Sequence, residues 1–87
     1  MKAKPKRKVS QFRIVEIEWF DSVGLMSVWE VREEIEPLQP SPIITVGYLW
    51  EEAKDFVTVC QSQSRMQVAR RFSIPRACIK SIRIIRK

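Results

Sequence analysis

Residues 43–50 read IITVGYLW, the most apolar run of the chain, and residues 56–61, FVTVCQ, follow after the polar stretch 51–55. Both runs are rich in β-branched and aromatic side chains, which fit a pleated, packed surface. The first run reads as a central strand buried on both faces, and the second as its hairpin partner. Gly47 inside the first strand marks a bend, a bulge or a close approach of another backbone.

Upstream of this hairpin, Val15, Ile17 and Trp19 alternate with Glu16 and Glu18, the period of two that identifies a half-buried first strand with its apolar side chains on the core. Residues 21–24 supply turn chemistry, with Gly24 free to adopt a positive φ. Ser27 and Glu30 have the spacing of a capping box, which predicts a short helix over 28–36. Val28, Val31 and Ile35 then share one face, and Glu30, Glu33 and Glu34 face solvent. A strand with Trp29, Val31 and Ile35 turned inward is the competing reading. Pro37, Pro40 and Pro42 end either element, because each fixes φ and lacks an N–H, and 37–42 is a stiff connector.

Downstream, residues 61–65 are polar loop. Met66, Val68, Arg70, Phe72 and Ile74 alternate with Gln67, Ala69, Arg71 and Ser73, which predicts a fourth strand whose core face includes Arg70. Pro75 closes it, residues 74–79 suit one turn of 3₁₀ helix, and Ile82, Ile84 and Ile85 form a short last strand with Arg83 and Arg86 outward. Five short strands with tight turns suggest a small barrel or sandwich.

The chain has 87 residues, a formal net charge of +6, two cysteines and no histidine. That length allows one domain, with residues 1–10 a flexible basic tail and 11–87 a single β-barrel domain. The tail has little to bury against the entropy of ordering it. Charge is segregated along the chain. Residues 1–13 carry six cations and no acid. Residues 14–55 hold all ten acids with Arg32 and Lys54, and residues 56–87 carry eight cations and no acid.

Apolar runs are broken by charges too often for a transmembrane helix, and residues 12–20 lack the uninterrupted apolar core of a signal peptide. A cytoplasmic protein without membrane contact is expected. Cys60 and Cys78 have neither CxxC spacing nor a histidine to complete a zinc site, so they read as reduced structural thiols, with no metal and no cofactor. General acid–base work needs titratable groups converging in a water-poor pocket. None is visible, and the chain does not read as an enzyme.

A long first connection, a central hairpin, a fourth strand, a one-turn helix and a short last strand is the order of SH3-like and Sm-like barrels. The segments VEIEWFDS, TVGYLWEEAKDFVTVC and IPRACIKSIRII, over roughly residues 14–85, resemble a set of small proteins encoded mainly by bacteriophages. That set shares a V-G-[WY]-L strand and a closing I-P-x-x-x-[IV]-x-x-I. The resemblance implies a mainly β, five-stranded SH3-like or Sm-like barrel with one short helix, in a protein of the host cytoplasm. It implies no activity, since fold alone does not assign one.

Three binding roles remain open on sequence. Nucleic acid is favoured, through phosphate contacts from Lys2, Lys4, Lys6, Arg7 and Lys8 of the tail and from Arg65, Arg70, Arg71, Arg76, Lys80, Arg83 and Arg86, which run from the end of the polar loop through the fourth strand and the 3₁₀ turn to the last strand. DNA and RNA are equally open. Trp29, Tyr48 and Trp50 are the rings available for base stacking, and the core is the competing place for them. The second role is self-association, in which acidic and basic faces of two copies meet, a ring being one closed form. Within one copy the same charges would form exposed cross-strand pairs, each worth well under ~1 kcal/mol. The third is docking on a host protein to inhibit or modulate it, through Trp29, Glu30, Glu33, Glu34 and Glu36.

Overall fold

The computed structural model describes residues 13–25 and 29–87. The tail expected over 1–10, with its lysines and Arg7, lies outside the described residues, as do Ser27 and Val28. Five strands, β1 (Ile14–Asp21), β2 (Ser41–Glu52), β3 (Phe56–Gln63), β4 (Val68–Pro75) and β5 (Ile79–Arg86), form one antiparallel sheet in the order β4-β3-β2-β1-β5. The mainly β expectation is met.

Alternation in β1 places Val15, Ile17 and Trp19 on the core face. Leu49 of β2, Val57 and Val59 of β3 and Ile74 of β4 complete the core, and Cys78, Ile79 and Ile82 pack against it. Side chains from both ends of the strand order therefore share one core, which requires a curled sheet. The clearest measure is Trp19 on β1 against Phe72 on β4, whose ring centroids lie 5.6 Å apart. Three strand spacings in a flat sheet would separate those strands by roughly 14 Å. The curl stops short of closure: β4 and β5 are the two edges and do not pair. The sheet is thus open where a barrel was expected.

The buried indole N–H of Trp19 donates to Thr45 Oγ1 at 2.9 Å, so the largest core side chain leaves no unsatisfied donor. Gly47 is a point of close approach. A Cβ there would stand 3.0 Å from the Cys60 carbonyl oxygen and 3.2 Å from Val59 Cβ.

Four elements differ from expectation. Among the described residues the helix expected over 28–36 is absent, and residues 22–25 and 29–40 are exposed connector, with only a 3₁₀ turn at Arg32–Glu34. A helix that short is marginal unless a face packs, and Val31 and Ile35 find no surface to pack on. The alternative strand is absent too. Strand β2 is buried on one face only, with Ile44 66% and Val46 56% exposed. The strand enclosed on both faces is β3, where residues 57–60 are all buried. There Thr58 and Ser73 hydroxyls satisfy each other at 2.7 Å. Pro42 sits inside β2, tolerated because the pairing of β2 with β3 begins only at Tyr48 and that end of β2 has β1 as its single neighbour. Finally, β5 begins at Ile79, directly after the 3₁₀ turn Arg76–Cys78. That turn falls where the sequence places it.

Candidate nucleic-acid interface

Strand β3 pairs with β2 only as far as Cys60. Beyond that point the β3–β4 hairpin continues as a two-stranded ribbon, held by the pairs Ser62↔Ala69 and Gln63↔Val68. Its turn is closed by Ser64 and Gln67. The Ser64 N–H donates to the Gln67 carbonyl at 2.7 Å, and the Gln67 N–H donates to Ser64 Oγ at 3.1 Å. These bonds fix the tip and leave Arg65 and Met66 projecting into solvent, Met66 84% exposed.

The ribbon comes alongside Trp50 of β2, and between them lies a cleft of about 280 Å³ walled by Trp50, Gln63, Arg65, Met66 and Gln67. Trp50 is half-buried, which leaves part of its side chain reachable from solvent. At the base of the ribbon Arg70 has φ 58°, the one non-glycine residue with positive φ among those described. It interrupts the ladder between Cys60↔Arg71 and Ser62↔Ala69. A side chain in this left-handed conformation no longer follows strand alternation, and Arg70, expected on the core face, is exposed. Arg71 follows, also exposed, across from Cys60.

The other cations are placed differently. Arg76 donates Nε to the Ala53 carbonyl at 3.0 Å and its backbone N–H to the Asp55 carbonyl at 2.9 Å. It thereby ties the second 3₁₀ turn to the β2–β3 turn. Arg83 bonds Glu16 Oε1 at 3.2 Å, and Lys80 Nζ lies 3.9 Å from Glu18 Oε2. Opposite charges of β1 and β5 thus meet within one molecule. Arg86 is exposed across from Ile14. Among the described residues, Arg65, Arg70, Arg71 and Arg86 have no carboxylate partner.

The single basic face expected on β4 and β5 is therefore divided. The two strands are opposite edges of the sheet, and Arg76, Lys80 and Arg83 are engaged in the fold. Arg65, Arg70 and Arg71 remain together on the ribbon and β4. Of the three rings, Trp29 is 90% exposed, whereas Tyr48 and Trp50 are half-buried and none of the three is core. Met66, expected on the core face of the fourth strand, and Gln67, expected on its other face, lie instead at the hairpin tip before β4 begins at Val68, with Met66 exposed. Cys60 and Cys78 are free thiols, Cys60 buried.

Comparison with family models, with curated proteins and with solved structures finds no match to this chain. The fold and site define a small curled antiparallel sheet with an exposed basic ribbon.

Proposed function

We propose that the protein is a non-enzymatic nucleic-acid-binding module with the connectivity of SH3-like and Sm-like barrels, of bacteriophage type and acting in a host cytoplasm. The observation that carries this reading is the presence of Arg65, Arg70 and Arg71 on one hairpin, exposed and without carboxylate partners among the described residues, with Arg65 lining the Trp50 cleft. Cations that can reach phosphates supply most sequence-independent affinity, by releasing condensed counterions. The test is a salt titration of binding to a labelled oligonucleotide. A variant carrying Arg65→Ala, Arg70→Gly and Arg71→Ala should bind at least tenfold more weakly at low salt, with a salt slope shallower by about 2. An unchanged slope, or no binding by the parent protein at low salt, overturns the reading.

A second reading has its own observation. The connector exposes Trp29, Val31, Ile35 and Leu38 interspersed with Glu30, Glu33, Glu34 and Glu36, a mixture of apolar and acidic side chains that suits docking on a protein. A partner with basic groups around an apolar patch fits it, whether a host protein or the β4 edge of a second copy. For the second copy, solution mass above the monomer at low salt that falls on Trp29→Ser supports the reading. A monomer at every salt concentration excludes the second copy as that partner.

A further inference from the structure

We propose that the cleft between Trp50 and the β3–β4 ribbon takes one unpaired base of a single-stranded nucleic acid. The proposal rests on the nucleic-acid reading above and adds strandedness and the contact that confers it.

Three features of the cleft select that ligand. Its volume, about 280 Å³, falls just below the range of pockets for drug-sized molecules, about 300–1,000 Å³, and suits one flat ring system. One wall is the half-buried aromatic side chain of Trp50 on β2, and base–aromatic stacking tolerates any base because every base has a π face. The opposite wall is the hairpin tip. Met66 offers a polarisable thioether for the other side of a ring, the Gln67 amide offers both a donor and an acceptor for a base edge, and Arg65 stands at the rim as the nearest cation for the attached phosphate.

Two further exposed cations stand at the base of the ribbon, Arg70, and one residue beyond it in β4, Arg71, so a strand with its base in the cleft has positive charge to meet outside it. A base inside a duplex is stacked and paired, and must be extruded at a cost of a few kcal/mol before it can reach such a site. A flexible single strand needs no such step. The geometry therefore favours single strands, whereas a purely electrostatic surface would favour the denser charge of a duplex.

The test compares four probes on the parent protein at one salt concentration: a 12-nucleotide thymidine oligomer, an abasic oligomer of the same length, a 12-base-pair duplex, and inorganic polyphosphate. The thymidine oligomer should bind about tenfold or more tightly than the abasic one and more tightly than the duplex. Trp50→Ala should weaken the thymidine oligomer about tenfold and leave polyphosphate binding and the salt slope unchanged, with Trp50→Phe retaining most of the affinity. Because the abasic comparison uses the unaltered protein, it stands even where Trp50→Ala fails to fold. Equal binding of thymidine and abasic oligomers overturns the stacking site while leaving the phosphate reading intact. No binding of any of the four overturns both.

Discussion

Arg70 is the most unusual residue of the chain, because a non-glycine side chain held at φ 58° meets its own following carbonyl at a cost of about 1–2 kcal/mol. Its position explains why that cost is accepted: it lies at the step in β4 where the ribbon leaves the rest of the sheet. Glycine adopts this conformation freely but loses more freedom on folding. Arg70→Gly should therefore raise stability by up to about 1 kcal/mol in denaturant titrations, while Arg70→Val, β-branched and ill-suited to positive φ, should lower it. A stable Arg70→Gly variant with weaker oligonucleotide binding separates the role of the cation from that of the backbone. Cys60 makes a second prediction at this scale. Burial pushes its thiol above the ordinary value of 9.0. As pH rises through that value the unfolded chain releases its proton first, so this group's contribution to stability is present below about pH 9 and lost in more alkaline solution. In a thiol-reagent titration at pH 8, half-buried Cys78 should react in the native protein and Cys60 only after denaturant is added. Two fast thiols in the native state would contradict that burial.

Strand β5 shows how an element redirects residues that look equivalent in sequence. Arg83 and Arg86 both read as outward cations, but antiparallel pairing sets Arg83 against Glu16 of β1, leaving Arg86 at the strand end. The Glu16–Arg83 pair is exposed on the arginine side, so a double-mutant cycle should give a coupling of about 0.2–1 kcal/mol. Arg83→Ala should leave oligonucleotide affinity within about twofold, and a tenfold loss would return β5 to the interface. The same distinction separates what was legible in sequence from what was not. The core face of β1, the β3 strand, the 3₁₀ turn after Pro75 and the close approach at Gly47 depend on period-two alternation and local turn chemistry, which a single sequence displays. Coverage is not local. Whether 28–36 winds into a helix depends on a surface for Val31 and Ile35, and none is offered. Whether β2 or β3 is enclosed on both faces depends on where the pairing of β2 with β3 begins. Of the site, Arg65 and Trp50 were each visible as a cation and an aromatic. Their meeting at one cleft was not, because fourteen residues and a ribbon's departure from the sheet lie between them.

At the scale of the whole molecule, five of the six net positive charges sit on residues 2–8, so the described part carries a net charge of only +1. That part is strongly polarised, with all ten acids before residue 56 and eight cations after it. Two of those cations are neutralised by β1. The electrostatic attraction for a phosphate chain then divides into a small fixed contribution, from Arg65, Arg70 and Arg71 on the ribbon and β4, and a larger one from the basic segment before the sheet. The two contributions have different signatures. Each cation that meets a phosphate of a single strand adds about 0.7 to the slope of log K against log salt. A variant lacking residues 1–12 should therefore lose up to about 3.5 from that slope, keep the slope of about 2 that the three arginines contribute, and keep in full the tenfold effect of Trp50→Ala. A truncated protein with an unchanged slope would place all phosphate contact on the sheet. One whose Trp50→Ala effect disappeared with the segment would show that the cleft acts only when the strand is first gathered by it.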